Sequence, residues 1–300
     1  TDWLNDFEGR HPDGNTDPTN LAALSSWIKS TDTTGLSDTE KAARLAKFKD
    51  ELGDWMDVDS TLFYYLFTEL FLMVDSRAKN AFPTRYDGGV WCWLPYDMDT
   101  AIGINNEGSL TFGYQLEDTD KTSTGADVYN GQNSVLWNNV REAYKDELME
   151  MYKELRSDNI ISYADTEERF ENHQSKWPEA IFNEDAYYKY LEPLFVDKNG
   201  SYLGMLQGSK AEQRKWWLYN RFRYMDSKYN AGDALTDVIT LRGYAKSDIT
   251  VTPYADIYAT IKYGSYLVQK RALRGSSYTL ECPLDNLYDT ETYLYSASQL

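Results

Sequence analysis

Four residues between positions 75 and 99 carry oxygen-bearing side chains at spacings that chemistry can use: Asp75, Asn80, Asp97 and Asp99. They lie in LMVDSRAKNAFPTRYDGGVWCWLPYDMDTAIG, which runs from Leu72 to Gly103. Phosphoryl transfer is one reaction that needs such a set. It requires Mg2+ clamped onto phosphates and a carboxylate near the incoming hydroxyl, with little covalent help from the protein. Mg2+ prefers hard oxygen ligands, usually one or two carboxylates completed by water and phosphate oxygens. A carboxylate opening a loop, an amide further along it and carboxylates after a hairpin can fill those roles. Taken singly, each residue has a plainer reading. Asp75 can end a helix, and Asp97 and Asp99 can cap a turn that Gly103 completes. A calcium loop drawn from Asp97, Asp99, Asn105, Asn106 and Glu107 fails, because Ala101 and Ile102 interrupt the EF-hand spacing.

The elements that must position these residues can be read from periodicity. DSTLFYYLFTELFLMV has one wide apolar face from Leu62 to Val74, with Tyr64, Tyr65, Leu72 and Met73 covering much of the rest. A helix apolar nearly all round is a buried helix, and this one is expected to run up to Asp75. AFPTRY and GVWCWLPY follow, joined by Asp87-Gly88-Gly89, a strong hairpin signal. Pro83 restricts the first strand to an edge or to its start. Upstream, TNLAALSSWIKS has Leu21, Leu24 and Ile28 at helical spacing, and Ser37 with Glu40 forms a capping box for a second helix. Downstream, residues 103–132 read as a long irregular loop of the kind that is often functional. NSVLWNNVREAYKDELMEMYKEL predicts one long amphipathic helix, and DTEERFENHQSKW, EDAYYKYLEPLF and SKAEQRKWWLYNRFRYMDSKY predict three more. In the last, Trp216, Trp217, Tyr219, Phe222 and Tyr224 are read as packing residues, with its basic residues pairing with acids elsewhere. From residue 237 to 300 the chain turns rich in β-branched and aromatic residues, a β-rich module without an evident closing element.

Bulk properties exclude several function classes. The chain has 300 residues and a net charge of −18, a surface that repels phosphate backbones and anionic lipids. Nucleic acid is therefore not expected as a partner, and a basic protein is. No apolar run is long enough to span a membrane. Two cysteines and two histidines argue against a structural zinc site. Cys92, between Trp91 and Trp93, reads as a small packing residue. No nucleophile elbow and no glycine-rich phosphate loop of the Walker or dinucleotide type is present.

The order of parts around the four residues follows that of protein kinases. There the catalytic loop has an Asp, a basic residue two positions on and an Asn five on, with a metal-binding Asp after a hairpin. Here the offsets give Asp75, Arg77, Asn80, then Asp97 or Asp99. More closely, DWMDVDSTLFYYLFTELFLMVDSRAKN followed by GGVWCWLPYDMDTAIG resembles the CotH family, the spore-coat-protein-H type of atypical kinase. FEGRHPDG and KWWLYNRFRYMDSKYN also look like segments of that family, so the resemblance covers roughly residues 7–230. It implies an α+β, protein-kinase-like fold. A mostly helical C-terminal lobe over residues 1–232 would carry a small hairpin at the site, and the β-rich module of 237–300 would follow. It implies ATP and Mg2+ as cofactors and transfer of the γ-phosphate to Ser or Thr of a coat, surface or virion protein. By the same resemblance Asp75 is the catalytic base with Arg77 beside it. Asp97, Asp99 and Asn80 are the metal ligands, Asp97 and Asn80 thereby binding the nucleotide.

Two departures qualify the match. Tyr96 stands where the family usually has Trp. Nothing before Asp2 supplies the strand lysine and phosphate-covering loop of an N-terminal lobe, and the chain starts without Met, so a fragment with little kinase activity of its own is expected. The competing expectation is an inactive kinase-like scaffold for adhesion or particle assembly, favoured by the 25 tyrosines, a residue suited to recognition surfaces. A spore-coat, extracellular or virion-surface location accompanies either reading.

Overall fold

The structure is a computed structural model. It describes residues 8, 9, 12, 14–104, 112–121, 128–129, 134–158, 160–178 and 210–231, and by their backbone alone several short strands between 195 and 292. The described architecture is α+β and mostly helical, with a small antiparallel hairpin.

Helix α1 (Thr19–Ser30) buries Leu24 and Trp27. Helix α2 (Asp38–Trp55) opens on the expected capping box: Glu40 N–H donates to Ser37 Oγ, and Ser37 N–H to Glu40 Oε2. Helix α3 (Val58–Leu70) is capped by Asp57, whose carboxylate accepts from Ser60 N–H at 2.7 Å. It buries Leu62, Tyr64, Tyr65, Leu66 and Leu70, and leaves Phe63 exposed.

Helix α3 does not reach Asp75. It stops at Leu70 because Leu72 takes a left-handed backbone with φ 47°. Met73 N–H then bonds to Thr68 O (2.9 Å) and Leu72 N–H to Glu69 O (3.1 Å). That bond pair is a Schellman ending with leucine where glycine is usual. A left-handed backbone costs a leucine about 1–2 kcal/mol, and complete burial of its side chain offsets that cost.

The hairpin forms as expected, from β1 (Phe82–Arg85) and β2 (Trp91–Leu94), in register from Phe82 opposite Leu94 to Arg85 opposite Trp91. Asp87 and Gly88 both have positive φ, and Gly89 N–H bonds to Tyr86 O, the geometry Asp-Gly favours. The far side of β2 meets the chain before α3, where Asp57 N–H donates to Trp91 O at 2.7 Å. This leaves β1 as the edge strand, where Pro83 is tolerated.

The long helix expected after residue 134 is two: α4 (Val135–Ala143) and α5 (Lys145–Ser157). They meet at Tyr144, with φ −112° and ψ 26°. Tyr144 is buried edge-on against Phe48, with its hydroxyl bonded to Lys49 O, so a tertiary anchor sits at the break. Helix α6 (Tyr163–Gln174) begins at a Ser162 cap. The helix expected at 184–195 lies outside the described residues except for Phe195, which opens the two-residue strand β3 (Phe195–Val196), paired with β4 (Tyr202–Gly204). Helix α7 (Lys210–Lys228) follows. After it come β5 (Asp237–Thr240), β6 (Ile249–Val251), β7 (Ile257–Tyr263), β8 (Tyr266–Ala272), β9 (Tyr278–Leu280) and β10 (Thr290–Thr292). Strand β7 pairs with β5 in parallel and with β8 and β10 antiparallel, and β6 pairs with β9. Among the described residues no helix is long and apolar enough to cross a membrane.

The core gathers Phe48, Leu52, Leu66, Val140, Trp217 and Phe222 from α2, α3, α4 and α7. The described parts of the 103–132 stretch are not a surface flap: Leu116, Asp118, Val128 and Tyr129 are buried in that core or beside it.

Candidate active site

The end of α3 leads into a turn that carries Asp75, Arg77, Lys79 and Asn80. Asp75 O accepts from Asn80 N–H at 3.0 Å, closing the turn. Two side chains fix its carbonyls from below. Tyr64 O–H donates to Ser76 O at 2.6 Å, and Trp137 Nε1–H donates to Arg77 O at 3.0 Å. The rings of Tyr64, Trp93 and Trp137 lie against one another with centroids 4.9 to 5.8 Å apart. Helix α3, strand β2 and helix α4 thus share an aromatic floor beneath the turn. Burial pushes the Tyr64 hydroxyl up to about 12, against the opposing pull of Arg77, so it stays a donor.

Arg77 is buried, and its guanidinium is committed inside the protein. Nε donates to Thr68 Oγ1 (2.8 Å), Nη1 to Asp118 Oδ2 (2.8 Å), and Nη2 to Tyr65 O (2.7 Å) and Glu69 Oε2 (3.1 Å). The guanidinium carbon also lies 4.0 Å from the Tyr65 ring centroid and 4.7 Å from that of Tyr129. Burial works against the Arg77 charge, but Tyr129, Tyr65, Glu69 and Asp118 together raise its affinity for the proton. Glu69 is the other hub. Burial pushes its carboxyl up, yet Lys228, Arg77 and Arg221 outweigh that and hold it at about 2. Both are therefore charged and fixed at neutral pH.

The second half of the site follows the hairpin. Asn80 Nδ2–H donates to Asp97 O at 3.1 Å, so the expected amide and the expected metal-binding residue do come together. Asp97 has φ 49°, a left-handed backbone, and its side chain and that of Asp99 are exposed. Ile102 N–H ties the segment back to Phe71 O at 2.6 Å. Gly103 has φ 82°, and a Cβ there would stand 2.5 Å from Trp217 Nε1 and 2.7 Å from Phe112 O. The glycine is needed both for its backbone conformation and for this close approach.

The Asp75 carboxylate is 2 % exposed. The Lys79 ammonium stands 3.9 Å from its Oδ2, and the Lys79 side chain is 69 % exposed. Sequence reasoning passed over Lys79 in favour of Arg77, the basic residue at the kinase offset. The signal available was the four-residue spacing from Asp75, which places a long side chain beside it when the backbone coils.

Among the described residues no three His, Cys, Asp or Glu converge to form a metal cage. What is present is two exposed carboxylates, Asp97 and Asp99, and the Asn80 amide. That small hard-oxygen set fits Mg2+ carried on a nucleotide, which keeps waters and phosphate oxygens in its shell, rather than a metal enclosed by protein.

A family model described as CotH kinase protein matches residues 13–207, a span that holds both halves of this site and ends before α7. No curated protein and no solved structure matches the chain.

Proposed function

This chain belongs to the CotH kinase family, and from that premise we propose that it transfers the γ-phosphoryl group of ATP, with Mg2+, to a serine or threonine hydroxyl of a protein. The observation that carries this reading is the 3.1 Å bond from Asn80 to Asp97 O, which ties the turn bearing Asp75 to the segment bearing the exposed carboxylates. Asp75 takes the proton of the incoming hydroxyl. Lys79, exposed and beside it, meets the negative charge of the transferring group. Asp97, Asp99 and Asn80 are the residues that would hold the Mg2+. Bound Mg2+–ATP supplies the phosphoryl group and neutralises its charge. Arg77 touches neither substrate nor nucleotide in this account. It is a positioning residue that locks the turn to α3 and to Asp118. The net charge of −18 favours a basic protein as acceptor.

The test is Mg2+-dependent phosphate transfer and ATP calorimetry on the full-length protein. Asp75→Asn is expected to keep nucleotide binding and lose transfer by about 100-fold or more. Asp97→Asn is expected to lose Mg2+-dependent binding as well, and both should melt with the parent. Retention of transfer by both variants would end the proposal.

A further inference from the structure

We infer that one face of α7, beyond the span of the family match, positions both halves of the site, with Trp217, Arg221 and Lys228 as positioning residues. The role in catalysis rests on the kinase reading, whereas the bracing itself does not.

Trp217, Arg221, Tyr224 and Lys228 recur at helical spacing and share one face of α7. The adjacent stripe of Leu218, Phe222, Met225 and Tyr229 is buried and does the apolar packing. The first face is polar at its tips, and each tip meets the end of an element that carries the site. Trp217 packs where Gly103 has no side chain and donates Nε1–H to Phe112 O at 2.8 Å, while Phe112 N–H bonds to Gly103 O at 3.0 Å. Trp217 thus clamps the segment that begins at Asp97.

Arg221 is fully buried and donates to four carbonyls. Two, Glu69 O and Leu70 O, belong to the last turn of α3, and two, Tyr114 O and Leu116 O, to the loop beside Asp118. The last carbonyls of a helix lack intrahelical partners and form the negative end of its dipole, so a buried guanidinium satisfies both needs. Lys228 Nζ reaches Glu69 Oε1 at 2.9 Å and Glu117 at 3.2 Å. Glu69 holds Arg77 on its other oxygen. An unbroken chain of charged contacts therefore runs from α7 through Glu69 and Arg77 into the turn of Asp75. Tyr224 O–H, bonded to Glu117, completes the face. A face needed only for packing would not be supplied with one fully buried cation and a second that is mostly covered.

Hydrogen exchange resolved to single amides separates bracing from general stabilisation, and transfer assays are run in parallel. Lys228→Met is the main variant. Arg221→Lys, which keeps charge but loses the fork, is the second, so that a fold lost in one leaves the other. Asp226→Asn is the control: it breaks the buried pair that joins Asp226 of the same helix to Arg156 of α5, away from the residues that carry the site. Lys228→Met is expected to speed exchange at the Ala78 and Asn80 amides by about 10-fold while the α2 amides keep their protection. Transfer should fall by a similar factor in kcat, with a smaller effect on the KM for ATP. The control should show no selective exchange at Ala78 and Asn80. Unchanged exchange at these two amides in both α7 variants would overturn the bracing, even if Asp75→Asn abolishes transfer. Selective exchange in a protein that transfers no phosphate would uphold the brace and remove the kinase reading.

Discussion

The turn from Asp75 to Asn80 and the segment from Asp97 to Gly103 face the same task by opposite means. The first is buried except at Ala78 and Lys79 and is cross-linked: Tyr64 and Trp137 hold the carbonyls of Ser76 and Arg77, and Arg77 anchors it to Thr68, Glu69 and Asp118. The second presents two exposed carboxylates on a backbone with three left-handed residues, Asp97, Ile102 and Gly103. It is fixed at separate points: Asn80 to Asp97 O, Ile102 N–H to Phe71 O, and Gly103 beneath Trp217 with its carbonyl on Phe112 N–H. The difference suits the two roles proposed. A catalytic base gains from a rigid, desolvated setting. Ligands to a hydrated Mg2+ must stay open to water and phosphate.

The contrast is tested first where the effect should be largest. Arg77→Met removes one partner from a buried network and leaves Glu69 and Asp118 short of a cation. A loss of about 3–5 kcal/mol in unfolding free energy is expected. Chemical denaturation measures it, and a change within error of zero would mean the first half is not braced by charge. Gly103→Ala forces a side chain into a left-handed backbone and against Trp217 and Phe112 O. It should cost about 1–3 kcal/mol and weaken Mg2+-dependent ATP binding. Wild-type binding in that variant would show that the second half tolerates displacement.

A third effect is the pH dependence. Glu69 sits at about 2 in the fold against an ordinary 4.5, because its cations outweigh burial. A depressed carboxyl contributes stability above its unfolded value and loses it as pH falls through its folded one. The gap in unfolding free energy between the parent and Glu69→Gln should therefore be full above pH 4.5 and shrink toward pH 2. A gap independent of pH would deny Glu69 its charge in the fold.

Much of this arrangement was legible in local sequence. The capping box at Ser37 and Glu40 and the Asp87-Gly88 turn depend on neighbours a few residues apart, and local chemistry decided them. The order Asp75, Asn80, hairpin, Asp97 was equally visible, and Asn80 does meet Asp97. The end of α3 was not. Leu72 carries no stop signal, and only the core that encloses it makes its left-handed backbone tolerable. The break at Tyr144 was hidden for the same reason, since its anchor, Lys49 O, lies far away in sequence.

The sequence by itself determined most of the described helices and the hairpin, which residues are acidic or basic and in what order they arrive. Periodicity, caps and turn chemistry act over a few residues and need no knowledge of the fold. Only the tertiary structure decided what each charge does. Arg77 and Lys79 are both basic and two positions apart, yet one is buried among Glu69, Asp118 and Tyr65 while the other stands exposed beside Asp75. That outcome depends on partners drawn from α3, the 114–118 loop and Tyr129, because a buried charge is tolerable only where opposite charge and hydrogen bonds from distant parts of the chain converge on it.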